Sequence, residues 1–118
     1  MTKEELENRT AMFAARIVKV CESLPTNRIG AAHFADQLFR AGTSVAANYA
    51  EAAEAESRKD FIHKLKIAMK ELSETRTWLK VMAFSGYVGT ASVSPIVNES
   101  IELTRIFAAS VKTARLSN

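Results

Sequence analysis

Apolar residues recur every three or four positions through most of the chain, which is the spacing of one face of an α-helix. The first segment with this spacing carries Leu6, Phe13, Ile17, Val20 and Leu24. Three later segments repeat it, with apolar positions at Leu38, Ala41, Val45, Tyr49 and Ala52; at Phe61, Leu65, Ala68, Leu72 and Leu79; and at Val97, Ile101, Ala108 and Val111. The pattern predicts four amphipathic helices.

Two capping signals predict where helices begin. Thr2 and Glu5 have the spacing of a capping box, in which each side chain accepts a hydrogen bond from the backbone N–H of the other residue. Ser57, followed by Asp60 three residues later, is a second N-cap signal. We therefore expect the first helix to begin near residue 3 and the third near residue 58.

Glycine, proline and short polar residues mark the connections between the helices. Residues 25–27 read Pro-Thr-Asn and precede Gly30, while residues 86–92 contain two glycines. Ser94 stands directly before Pro95, and a capping hydroxyl followed by proline is typical of a first helical turn. With these loops the helices are expected at about 3–24, 31–55, 58–84 and 95–115.

Composition agrees with an all-helical fold. The chain has 118 residues, 47% of them hydrophobic and 25% charged, with only four glycines and two prolines to interrupt regular structure. This length suits one domain with one core, and short connections force neighbouring helices to run antiparallel. The sequence predicts a single domain, residues 1–118, folded as an all-α, antiparallel up-and-down four-helix bundle.

Two of the predicted helices have more apolar surface than a lone bundle needs. On the fourth helix Val97, Ile101 and Val111 form one stripe, but other apolar residues lie about 100° away from it. The third helix likewise has apolar residues off its main stripe, including Trp78, the only tryptophan. Tolerated surface exposure is one explanation, and a subunit interface is the other. We expect an interface that includes Ile67, Trp78, Val81, Leu103 and Phe107.

A polar stripe runs along the second helix beside its apolar face. Arg40, Ser44, Asn48 and Glu51 are spaced four, four and three residues apart, so they lie on one side of the helix. A solvated face with local hydrogen bonds explains the spacing without any special role. The alternative is a hydrogen-bond network that sets the helix register or joins subunits, as a buried Asn does in coiled coils.

The charge of the chain, +3 in total, is distributed unevenly. Residues 1–56 hold six Lys/Arg and eight Asp/Glu, whereas residues 57–118 hold ten and five. Lys59, His63, Lys66 and Lys70 step along the third helix opposite its apolar face and form a basic ridge. Solvated surface is the common explanation of such a ridge, and contact with a nucleic-acid phosphate backbone is the alternative.

Residues for catalysis or metal binding are sparse. Cys21 is the only cysteine, and His33 and His63 are separated by thirty residues without metal-ligand spacing around either. No glycine-rich phosphate loop, nucleophile with a nearby base, signal peptide or membrane-length apolar segment is evident. We therefore expect a cytoplasmic protein that is not an enzyme, with no cofactor, metal, membrane or small-molecule substrate.

Residues 37–52 resemble the signature of a known family. They contain the pattern Arg-x-x-x-Ser-[Ile/Val]-x-x-Asn-x-x-Glu, carried here by Arg40, Ser44, Asn48 and Glu51. The resemblance continues through residues 61–68 and 71–79. It is to the four-helix-bundle family encoded in intervening sequences of bacterial 23S ribosomal RNA genes, and it implies a ring, a pentamer, without enzymatic activity.

The chain is also similar to the accessory bundle protein of diversity-generating retroelements. That resemblance implies a basic pentameric barrel that binds nucleic acid and a reverse transcriptase. The expected function is thus a homo-oligomer that binds RNA or DNA backbone without sequence specificity, or that scaffolds a nucleic-acid enzyme. The alternative is a structural or protein-interaction oligomer that contacts no nucleic acid.

Overall fold

The computed structural model describes residues 1–117 and contains four helices in that range. They are α1 (Lys3–Glu22), α2 (Ala31–Ala53), α3 (Arg58–Phe84) and α4 (Thr90–Leu116). The helices in contact are α1 with α2, α2 with α3, α3 with α4 and α4 with α1. This arrangement and the short loops give an elongated four-helix bundle, 54 × 22 × 20 Å, which confirms the predicted fold class.

Both predicted N-caps are present. The Thr2 hydroxyl accepts a hydrogen bond from the Glu5 amide at 3.1 Å, and the Glu5 carboxylate accepts one from the Thr2 amide at 3.0 Å. The Ser57 hydroxyl accepts from the Asp60 amide at 3.0 Å. These bonds satisfy backbone donors that the first turn of each helix cannot pair internally. The predicted starts of α1 and α3 are therefore confirmed.

The predicted start of the fourth helix is wrong. Helix α4 begins at Thr90, with Gly89 as its N-cap residue, and Pro95 lies inside the helix rather than in its first turn. Proline in the second turn removes one backbone hydrogen bond, a cost that burial of apolar residues can exceed. The first two turns bury Val93 and Ile96 in the bundle core, which offsets that cost.

One core runs the length of the bundle, and all four helices contribute to it. Its fully buried side chains include Phe13, Ile17, Leu38, Val45, Leu65, Leu72, Leu79, Leu103 and Phe107. Helices α1 and α2 approach closely at Gly42, where an added Cβ atom would lie 2.6 Å from the Ile17 side chain. The α4–α1 seam is bridged by Arg9, whose guanidinium donates to both Glu99 carboxylate oxygens at 2.6 and 3.0 Å.

Loop contacts tie together the end of the bundle that holds the α1–α2 and α3–α4 connections. Gly30, with a φ of 83°, closes the first loop in a conformation that favours glycine. The Arg28 guanidinium donates to the carbonyl oxygens of Gly86 and Ser85 at 2.9 and 3.0 Å, and it lies 3.9 Å from the centre of the Tyr87 ring. A cation at the C-terminus of α3 is also favoured by the helix dipole.

Candidate functional site

The predicted basic ridge lies on the outer face of α3. Lys59, His63, Lys66 and Lys70 are all exposed. Within residues 1–117 no salt bridge involves any of the four. Their charge is therefore available to a partner in solution.

Helix α4 adds two cations to this ridge. Lys66 lines a groove between α3 and α4 together with Lys112 and Arg115, and no carboxylate lines that groove within the described part of the chain. The sequence analysis missed Lys112 and Arg115 because they lie more than forty residues from Lys66. Only the antiparallel packing of α3 on α4 brings the three together.

The predicted polar network crosses from α2 to α3 at two of its four residues. The Arg40 guanidinium donates to Glu71 at 2.9 Å and forms an ion pair with Glu74 at 2.6 Å. Glu51 pairs with Lys64 at 3.4 Å. These pairs join the second and third helices near both ends of the polar stripe.

The other two residues of the stripe bond only within α2. The Ser44 hydroxyl donates to the Arg40 carbonyl oxygen at 2.6 Å, and the Asn48 amide donates to the Ser44 carbonyl oxygen at 2.9 Å. Side-chain bonds to the carbonyl one turn earlier are a local feature of helices. Within one subunit, the interhelical role predicted for this stripe is therefore carried by Arg40 and Glu51.

The electrostatics of the Arg40 site are those of a compensated ion pair. A hydrogen bond from Arg40, and a weaker one from the Trp78 indole, lower the pKa of the Glu74 carboxyl, and the bond with Glu74 chiefly raises the pKa of Arg40. Glu71 is buried, so its charge depends on the same guanidinium. The site has a structural chemistry: its charges neutralise one another.

Two of the predicted interface residues are not at the surface. Leu103 and Phe107 are 0% exposed, and the Phe107 ring stacks on Tyr49 with ring centres 5.6 Å apart. The prediction that they contact another subunit is wrong, because the wrong stripe of α4 was assigned to the core. The residues that α4 buries are Val93, Ile96, Ser100, Leu103, Phe107 and Val111.

The three other predicted interface residues retain some exposure. Trp78 is half-buried against His33 and Phe34, with ring centres 5.6 and 6.0 Å away. Ile67 is half-buried, and Val81 is 38% exposed. These side chains are on the surface of α3, and whether a second subunit covers them stays a prediction.

A larger groove lies between the second half of α3 and the first half of α4. Its volume is about 650 Å³, and Arg76, Lys80, Phe84, Val97 and Ile101 are among the residues that line it. The Arg76 guanidinium donates to the Ser100 and Thr104 hydroxyls at 3.0 and 3.1 Å. Burial lowers the pKa of this guanidinium. Sequence reasoning considered Arg76 only as an extension of the basic ridge.

Other site chemistry was sought in residues 1–117. No three His, Cys, Asp or Glu side chains cluster there as metal ligands would. No helix in that range combines the length and the apolar character needed to cross a membrane.

Comparisons with known proteins identify the family. The 23S rRNA-intervening sequence protein family model matches residues 3–109. The fold is similar to the crystal structure of a protein of unknown function from the S23 ribosomal protein family of Bacteroides thetaiotaomicron VPI-5482. The two share 33% sequence identity with a TM-score of 0.86, over 95% of this chain and 99% of that chain. No curated protein matches the chain. The chain belongs to the 23S rRNA-intervening sequence protein family.

Proposed function

We propose that this protein is a non-enzymatic, cytoplasmic oligomer that binds the phosphate backbone of nucleic acid through the outer surface of α3 and α4. The observation that carries the proposal is the basic surface of Lys59, His63, Lys66 and Lys70, extended by Lys112 and Arg115 of α4. None of these six side chains forms a salt bridge with the described residues. Cations without protein partners are suited to phosphate groups.

The proposed contact does not depend on nucleotide sequence. Lysine side chains neutralise phosphates and release condensed counterions, whereas recognition of bases requires side chains placed against base edges. A nearly straight helical ridge has no loop or protruding element to enter a groove. We therefore expect similar affinity for unrelated sequences of equal length and strong weakening by salt.

Self-association would multiply this contact. The resemblance to ring-forming families supports a homo-oligomer, a pentamer, and Ile67, Trp78 and Val81 are the remaining interface candidates. A basic surface repeated around a ring binds one polyanion at several points, which raises its apparent affinity. The similarity to the retroelement accessory bundle supports a scaffold for a nucleic-acid enzyme as the use of such binding.

A mobility-shift titration with a 20-nucleotide RNA tests the nucleic-acid proposal. The variant Lys66→Glu/Lys70→Glu removes two cations from the ridge, and Arg16→Glu/Lys19→Glu makes the same charge change on α1. The ridge variant should lower the slope of log affinity against log salt by about two, since each lost phosphate contact removes about one. The α1 variant should bind like the wild type. No shift at micromolar protein in low salt, or equal losses in both variants, would refute the proposal.

A structural or protein-interaction oligomer is the second candidate. The observation that favours it is apolar exposure at the loop end of the bundle, where Ile29 is 94% and Phe84 84% exposed. Light scattering with mass determination tests the oligomer itself. A ring of five subunits has a mass of about 65 kDa, five times the 13.0 kDa chain. A monomer at micromolar concentration would contradict both candidates.

A further inference from the structure

The groove between α3 and α4 combines apolar walls with a cation at one end. Leu79, Phe84, Val93, Val97 and Ile101 supply most of its apolar lining, and Arg76 lies at the level of Ile101, away from the loop. No Asp or Glu is among the described residues that line it. An occupant that complements this lining must have an apolar body and a negative group at the Arg76 end.

Arg76 is held in place without being neutralised. The Ser100 and Thr104 hydroxyls accept its hydrogen bonds and also donate to carbonyl oxygens of their own helix, Ser100 at 3.0 Å and Thr104 at 2.8 Å. Within residues 1–117 Arg76 forms no salt bridge. A guanidinium that loses water without gaining an anion favours any bound carboxylate that replaces both.

The shape of the groove limits what can fill it. It extends along α3 from Ser73 to Phe84, which is about 16 Å at 1.5 Å per residue. A volume of about 650 Å³ over that length gives a mean cross-section of about 40 Å². An α-helix about 10 Å wide has a cross-section near 80 Å², so a partner helix does not fit.

An extended chain does fit this cross-section. An extended peptide would place unpaired N–H and C=O groups against apolar walls, which is costly. An alkyl chain has no such groups, and its burial is favourable.

We infer that the α3–α4 groove is a binding site for an unbranched aliphatic carboxylate. Its carboxylate pairs with the Arg76 guanidinium, and its alkyl chain lies along Val97 and Val93 toward Phe84. The bidentate geometry of a guanidinium matches a carboxylate, and the two hydroxyls of α4 keep that guanidinium oriented before the ligand arrives. This site is separate from the basic ridge and does not depend on nucleic-acid binding.

Isothermal titration calorimetry with decanoate, below its micelle concentration, tests the inference. We expect one decanoate per chain and at least tenfold weaker binding of acetate, which lacks the alkyl chain. Decyltrimethylammonium has an alkyl chain of the same length with a positive head, and it should bind at least tenfold more weakly than decanoate. No decanoate binding at millimolar concentration, or equal binding of the cationic compound, would overturn the inference.

Two variants locate the site. Arg76→Gln should weaken decanoate binding at least tenfold, while Arg105→Gln, which removes an exposed arginine from α4, should leave it unchanged. Ile101→Glu places a carboxylate opposite Arg76 within the protein and should abolish decanoate binding, even if Arg76→Gln proves unstable. Thermal unfolding followed by circular dichroism checks that each variant is folded. Wild-type affinity in both groove variants would overturn the inference.

Light scattering on the same samples distinguishes a second occupant. If neighbouring copies of the chain cover the groove, the assembled wild type should not bind decanoate, and Ile101→Glu should reduce the number of subunits. That pair of results would also overturn the inference. Binding of decanoate by an assembly whose mass is unchanged would support it.

Discussion

The two sides of helix α3 each hold an arginine, and the two are treated differently. On the α2 side Arg40 meets two carboxylates, Glu71 and Glu74, and the first of these is buried. On the α4 side Arg76 meets only the hydroxyls of Ser100 and Thr104. The pKa of Arg40 is raised by its partners, whereas that of Arg76 is lowered by burial.

This difference separates structure from function. The charges on the α2 side cancel within the chain, so that side has no need of a ligand. The α4 side keeps an uncompensated cation in an apolar groove, and the unpaired basic ridge and its α4 extension lie nearer the other end of the same helix pair. We therefore assign the α2–α3 seam to stability and the α3–α4 surface to binding.

Removal of Arg40 should have the largest effect on stability. Arg40→Met leaves the buried Glu71 without its ion-pair partner, and such losses cost 3–5 kcal/mol in a fully buried site. Because the Arg40 side chain is 47% exposed, we expect the free energy of unfolding to fall by about 2 kcal/mol in urea titrations. The matched change Lys19→Met, in the exposed pair with Glu22, should cost less than about 0.5 kcal/mol. Equal effects would show that Arg40 is not structural.

Acid should weaken the same seam. The pKa of Glu74 in the folded state lies below its value in the unfolded chain, chiefly because of the hydrogen bond from Arg40. Its contribution to stability is therefore present above about pH 4.3 and is lost as pH falls through the folded-state pKa. Urea titrations from pH 7 to pH 3 should show a smaller loss of stability in Arg40→Met than in the wild type. Parallel pH profiles would contradict the assignment.

Removal of Arg76 should change stability much less than removal of Arg40. The Ser100 and Thr104 hydroxyls keep their bonds to backbone carbonyls in Arg76→Met, and a desolvated cation is lost. The free energy of unfolding should stay within about 1 kcal/mol of the wild type, and an increase would agree with the argument. A loss as large as that of Arg40→Met would show that Arg76 is part of the structural framework.

The smallest effect is expected at Asn48. Its side chain bonds only within α2, and alanine has the higher helix propensity, so Asn48→Ala should alter the free energy of unfolding by about 0.5 kcal/mol or less. The mass measured by light scattering should stay the same. A large drop in melting temperature, or a change of assembly, would restore the interhelical role that the sequence pattern suggested.

Much of the fold follows from local patterns in the sequence. The capping residues of α1 and α3 predict those helix starts because they act on the nearest backbone amides. The first three helices lie within two residues of their predicted bounds. The start of α4 was misplaced because a local proline rule competes with the burial of Val93 and Ile96, and that burial depends on the other three helices.

The candidate site was less predictable than the fold. Exposure of Lys59, Lys66 and Lys70 follows from helical periodicity, since it depends on one helix alone. The partners of Arg40, the burial of Leu103 and the place of Arg76 depend on which helices pack together and at what rotation. On α4 two stripes had similar apolar content, so periodicity did not identify the one that faces the core.

Lysine acetylation followed by mass spectrometry, with and without a 20-nucleotide RNA, tests the central assignment most directly. If the α3–α4 surface binds the backbone, RNA should reduce acetylation of Lys59, Lys66, Lys70 and Lys112. Acetylation of Lys3 and Lys19 on α1 should be unchanged. Equal protection of all lysines, or protection confined to α1, would contradict the assignment of function to this surface.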